Sequence, residues 1–100
     1  KKLLALRIFA DNDKPLNRTV VESGGSLLVV SQFTLYANCR KGNRPSFSYS
    51  MPSVEAEQMY QRFVAKLKAV SLVGIQTGIF GADMKVSLIN DGPVTIILDA

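Results

Sequence analysis

The sequence predicts an α+β domain: a mixed or antiparallel β-sheet core covered by one long helix. Three observations carry this. Short apolar runs of strand length outnumber helical stretches. The one sustained helical pattern lies between two groups of such runs, as expected when sheet and helix form separate layers. Leu27-Leu28-Val29-Val30 is a continuous apolar run preceded by Gly24-Gly25, the pattern of a strand buried on both faces. One hundred residues, 47% of them apolar, suit a single domain over 1–100 with a modest core.

In chain order, residues 1–4 read as the end of a helix and Ala5 to Phe9 as a short strand. Asp11-Asn12-Asp13-Lys14-Pro15 is a turn cluster. Asn17 to Glu22 is weakly patterned and reads as extended. The apolar run from Leu27 continues into Ser31-Gln32-Phe33-Thr34-Leu35-Tyr36, so three polar residues sit at the end of a core strand. Buried polar groups need partners, so these either pair across strands or face a pocket. Asn38 to Met51 lacks periodicity and reads as a long loop. Pro52-Ser53 opens the helix, which runs to Val70 with Met59, Tyr60, Phe63, Val64, Leu67 and Val70 on one side. Glu55 and Glu57 near its start and Lys66 and Lys68 near its end suit the helix dipole. Val73 to Thr77 is a strand, and Gly78-Ile79-Phe80-Gly81-Ala82 a bend. Two alternating runs, Met84 to Ile89 and Val94 to Leu98, flank Asn90-Asp91-Gly92-Pro93.

Composition restricts the chemistry. There is no His, which excludes a Ser-His-Asp site within the chain and removes the commonest general base. With Cys39 as the single cysteine, a structural zinc site and an internal disulfide are both unexpected; no metal and no cofactor are expected. One Cys fits a reducing compartment, and a cytoplasmic location is expected. No apolar run approaches the ~20 residues of a membrane span. The net charge of +4 is compatible with a polyanionic partner.

Three stretches offer chemistry. Arg40, Lys41 and Arg44 cluster in the 38–51 loop with Phe47 and Tyr49 nearby. Basic residues among aromatics suit phosphate contact plus base stacking, or else form a solvated loop anchored by its rings. Phe80 between small residues is ordinary core or the wall of an adenine pocket. At Gly92-Pro93, Pro93 fixes its φ and lacks an N–H, and Gly92 leaves the backbone bare. The Asp91 and Gly92 carbonyls can then face a ligand, or the corner simply closes a hairpin.

Ser31-Gln32-Phe33-Thr34-Leu35, Arg40-Lys41-Gly42-Asn43-Arg44-Pro45-Ser46-Phe47, Phe80-Gly81-Ala82-Asp83-Met84 and Asn90-Asp91-Gly92-Pro93-Val94-Thr95 occur here in one order. That order resembles the D-aminoacyl-tRNA deacylase family, homodimeric enzymes that remove D-amino acids from mischarged tRNA. The resemblance covers residues 4–99. Family members carry a further N-terminal section before the segment matching Leu6-Arg7-Ile8-Phe9, so the chain reads as an N-terminally truncated domain.

The resemblance implies a barrel-like fold and a site shared between two copies. It implies that Ser31, Gln32, Phe33 and Thr34 form the catalytic segment, with the Gln32 and Phe33 N–H groups stabilising the oxyanion. Phe80, Gly81, Ala82, Met84 and Asn90 would hold the substrate adenosine, and Arg40, Lys41 and Arg44 would contact tRNA. Gly92-Pro93 would be a cis corner that reaches the partner's site and excludes L-amino acids. Thr34 lies beside the ester; as a nucleophile it lacks an adjacent base. The substrate's 2′-OH would help activate water, and glycyl-tRNA would also be cleaved. The competing readings are a non-catalytic RNA-binding module built on the 38–51 loop and a structural dimerisation domain. A serine or cysteine hydrolase fits least, given the absent His.

Overall fold

A computed structural model describes residues 1–12 and 14–99. Asp13, part of the expected turn cluster, and Ala100 lie outside them. The elements are α1 (Lys2–Ala5), α2 (Val20–Ser23), β1 (Leu27–Val29), a 3-10 helix (Phe33–Tyr36), α3 (Ser53–Val70) and β2 (Ile75–Thr77).

The expected strand Ala5 to Phe9 is reduced to one antiparallel bridge, Phe9 to Arg18. Asn17 to Glu22 was expected to be extended, yet residues 20–23 form a helical turn. The cause is a capping box: the Thr19 hydroxyl accepts from the Glu22 N–H, and the Glu22 carboxylate accepts from the Thr19 N–H. Gly24 closes this turn at φ 74°, and its N–H donates to the carbonyls of Val20 and Val21.

β1 and β2 pair in parallel, with Leu27 opposite Ile75 and Val29 opposite Thr77. The expectation was a mixed or antiparallel core; the named strands pair in parallel. The whole of α3 lies between the two strands, and a crossover through a helix returns the chain in the same direction. Antiparallel pairing appears as isolated bridges, the second being Asn38 to Ser46. Leu27 and Val29 are half-buried and Leu28 is 62% exposed, so β1 is not buried on both faces as its apolar run predicts. The runs 84–89 and 94–98 carry no strand pairing here. Their apolar side chains stay open, Ile89 at 93% and Ile97 at 83% exposure. No barrel closes among the described residues, whose named strands make one two-stranded sheet.

Helix α3 begins and ends where predicted. Val64 and Leu67 are its buried residues, and with Val20 they make the buried core. Met59, Phe63 and Val70, on the same stripe, remain roughly half exposed or more. Tyr60 ties the helix to the sheet: its hydroxyl lies 3.0 Å from the Val29 carbonyl and 3.5 Å from that of Gly78. Among the described residues no helix is long and apolar enough to cross a membrane.

Candidate active site

The site forms where the chain leaves each strand of the parallel pair. After β1, Val30 and Ser31 continue to Gln32, whose extended backbone (φ −151°, ψ 91°) starts the 3-10 helix Phe33–Tyr36. After β2, Gly78 turns the chain into Phe80-Gly81, and Gly81 takes φ 76°. The Gly78 N–H donates to the Val29 carbonyl at 3.0 Å, locking the two exits side by side. Ligands of parallel sheets commonly bind beyond the carboxyl ends of the strands, where both exits lie here.

Between them is a cleft of about 450 Å³. Ser31, Gln32 and Phe33 line it from one side, and Phe80, Gly81, Ala82 and Met84 from the other. Two segments far apart in sequence, each expected in the site, thus share one cavity. The Tyr60 ring lies 5.9 Å from that of Phe80. Thr34 is not part of the lining, but its hydroxyl accepts a hydrogen bond from the Gln32 side-chain amide. Ser31 to Thr34 therefore do not end a strand, as expected; the chain coils there, which exposes Gln32, Phe33 and Thr34. Phe33 opens its helical turn, a position whose N–H has no acceptor within that turn.

Met51, Ser53, Ala56, Asp83 and Val86 also line the cleft and escaped the sequence reading. Ser53 and Ala56 lie three apart on α3, a spacing that was visible, although the helix read as scaffold alone. Asp83 is the charged residue of the lining, an acceptor for hydroxyl or ammonium groups.

The other expected residues lie elsewhere. Asn90, Gly92 and Pro93 are exposed and do not line this cleft. The Gly92-Pro93 peptide is cis, and Gly92 has φ 133°, a region that L side chains rarely adopt. A Cβ at Gly92 would lie 3.0 Å from Val94 Cγ2 and 3.1 Å from Val94 N.

Arg40, Lys41 and Arg44 are exposed on the tip of a loop closed by the Asn38 to Ser46 bridge. That loop is fixed to Phe33 twice. The Phe47 and Phe33 rings meet edge-on with centroids 5.1 Å apart, and the Ser50 hydroxyl donates to the Phe33 carbonyl at 3.2 Å. Among the described residues no group of three His, Cys, Asp or Glu is placed to hold a metal.

A family model described as D-Tyr-tRNA(Tyr) deacylase matches residues 1–99. A D-aminoacyl-tRNA deacylase of Chlorobaculum parvum is 58% identical over 100 residues, covering all of this chain and 67% of the relative. One of Dechloromonas aromatica is 52% identical over 99 residues, 66% of its length. A solved structure titled c-Myc DNA Unwinding Element Binding Protein superposes with a TM-score of 0.87 at 42% identity, over 99% of this chain and 67% of that one. The chain thus spans about two thirds of the length of these relatives, and it belongs to the D-Tyr-tRNA(Tyr) deacylase family.

Proposed function

We propose that this chain hydrolyses the ester joining a D-amino acid to the terminal adenosine of tRNA, releasing the free amino acid and tRNA. The observation that carries this is the meeting of Ser31-Gln32-Phe33 with Phe80-Gly81-Ala82 and Met84 in one cleft, in a chain of this family. The cleft combines an aromatic wall for a base with main-chain N–H groups beside a polar strand exit. Water attacks the ester carbonyl, the bond to the ribose oxygen breaks, and that oxygen takes up the proton. The N–H groups of Gln32 and Phe33 stabilise the developing oxyanion, each donor being worth about 3 kcal/mol. The Gln32 amide holds the Thr34 hydroxyl beside the ester, and the substrate's own 2′-OH helps activate the water.

Chirality is read by exclusion. The Asp91 and Gly92 carbonyls receive the ammonium group, so a D side chain points to open space and an L side chain strikes the Gly92-Pro93 backbone. The corner is exposed and lies outside the cleft of its own chain, which supports its action in the site of a second copy. Asn90 adds a polar contact there, and Arg40, Lys41 and Arg44 hold the tRNA backbone.

Deacylation of D-tyrosyl-tRNA beside L-tyrosyl-tRNA tests the proposal. Release of D-tyrosine with the L ester left intact is expected. Tight binding of both without turnover would instead favour the RNA-binding module.

A further inference from the structure

A second cleft, of about 400 Å³, is lined by Leu35, Tyr36, Ala37, Asn38, Arg40 and Tyr49, at the end of the 3-10 helix and the start of the basic loop. We infer that it is a stacking subsite for an unpaired nucleotide preceding the terminal adenosine, the base packing on Tyr36 and Tyr49 and its phosphate meeting Arg40. The inference deepens the deacylase reading, on which its choice of RNA strand rests.

Four observations support it. First, two large rings face solvent in one cleft: Tyr36 is 68% and Tyr49 73% exposed. Exposed rings beside a guanidinium are the means by which proteins hold single-stranded nucleotides without reading sequence. Second, the two aromatics of the loop have different tasks. Phe47 is half-buried against Phe33, whereas Tyr49 turns to the cleft. Third, the electrostatics are one-sided. No acidic residue occurs in sequence between Glu22 and Glu55, a stretch that carries Arg40, Lys41 and Arg44. The Arg40 N–H donates to the Asn38 side chain at 3.1 Å, which fixes the start of the basic tip at the cleft. Fourth, the spacing fits a strand crossing from one cleft to the other. Phe33 lines the first cleft and Tyr36 the second. They are three residues apart on one 3-10 helix, so at a rise of about 2.0 Å per residue only ~6 Å of helix separates them.

Binding of the trinucleotide cytidylyl-cytidylyl-adenosine and of adenosine 5′-monophosphate tests the subsite, read as the ratio of the two affinities by fluorescence titration of the protein. Tyr36→Ala and Tyr49→Ala are each expected to lower that ratio roughly 5- to 150-fold, the range for losing one base–aromatic stack. Tyr36→Phe and Tyr49→Phe keep the ring and should retain it. Arg40→Ala should lower the slope of log affinity against log salt for the trinucleotide by about one. An unchanged ratio in both alanine variants would overturn the subsite. So would an equal loss for both probes, or a Phe variant as defective as the Ala variant. The ratio is read without turnover, so a wild type that binds the trinucleotide through these tyrosines but leaves D-tyrosyl-tRNA intact would sink the deacylase reading and not the subsite.

Discussion

At the scale of single residues, the proposed mechanism rests on Thr34 and Gly92. The Gln32 amide donates to the Thr34 hydroxyl, and no His exists to activate it. The proposed mechanism accordingly gives Thr34 the positioning of the ester. Thr34→Ala should cost about 2- to 10-fold in kcat/KM, the worth of one ordinary hydrogen bond, and intact-protein mass spectrometry should find no acyl-enzyme in the wild type. An acylated Thr34 would make it the nucleophile. At Gly92 the φ of 133° disfavours any L side chain, and the 3.0 and 3.1 Å approaches to Val94 would crowd a Cβ. Gly92→Val should strain the corner by about 1–3 kcal/mol and reduce turnover of D-tyrosyl-tRNA by tenfold or more, with the helical circular dichroism kept. Wild-type kinetics in that variant would place the corner outside the site. Ser31, Gln32 and Phe80 were legible because polar residues or a neighbouring glycine interrupt apolar runs, whereas Met84 entered through the family resemblance alone. Asp83 and Tyr36 were not, because each cleft is made where segments distant in sequence approach, and no local pattern records that approach.

Among the elements, α2 shows how a short signal outweighs weak patterning. Thr19-Val20-Val21-Glu22 is a capping-box sequence, and it makes a turn where the apolar pattern suggested extended chain. The hydrogen bonds from the Thr19 N–H and hydroxyl hold the Glu22 carboxyl below its usual 4.5, with the nearby Arg18 and Arg7 charges adding to them. A carboxyl depressed on folding contributes stability that is present above its unfolded value and lost as pH falls through its folded one. The Thr19 amide should therefore exchange faster with solvent as pH is lowered below 4.5, beyond the intrinsic pH trend; Glu22→Gln should remove the excess. Helix α3 was legible almost to the residue from its apolar stripe. Its role in the cleft was not, since the stripe says which face is covered and not what is built above it. Tyr60→Phe removes the hydroxyl that joins α3 to Val29 and should destabilise the fold by about 1 kcal/mol in urea. No change in the midpoint would mean that this tie is not maintained in solution.

On the scale of the whole molecule, the long helix α3 was legible and strand pairing was not. A helix closes its hydrogen bonds within itself, whereas a strand needs a partner that the local sequence does not name. Residues 84–89 and 94–98 have the alternation of strands, yet Leu88, Ile89 and Ile97 are exposed. The radius of gyration, 16.0 Å, exceeds the ~13 Å of a compact domain of this length. Exposed apolar side chains and a corner outside the lining of its own cleft both fit the proposed pairing of two copies, with selection exerted by main chain and not by reactive side chains. Glycyl-tRNA measures that selection most directly, because glycine has the ester and ammonium groups but no side chain to exclude. Exclusion by the Gly92-Pro93 corner predicts that glycyl-tRNA is deacylated at a rate comparable with D-tyrosyl-tRNA while L-tyrosyl-tRNA survives. Complete resistance of glycyl-tRNA at high enzyme concentration, or hydrolysis of the L ester at the D rate, would contradict it.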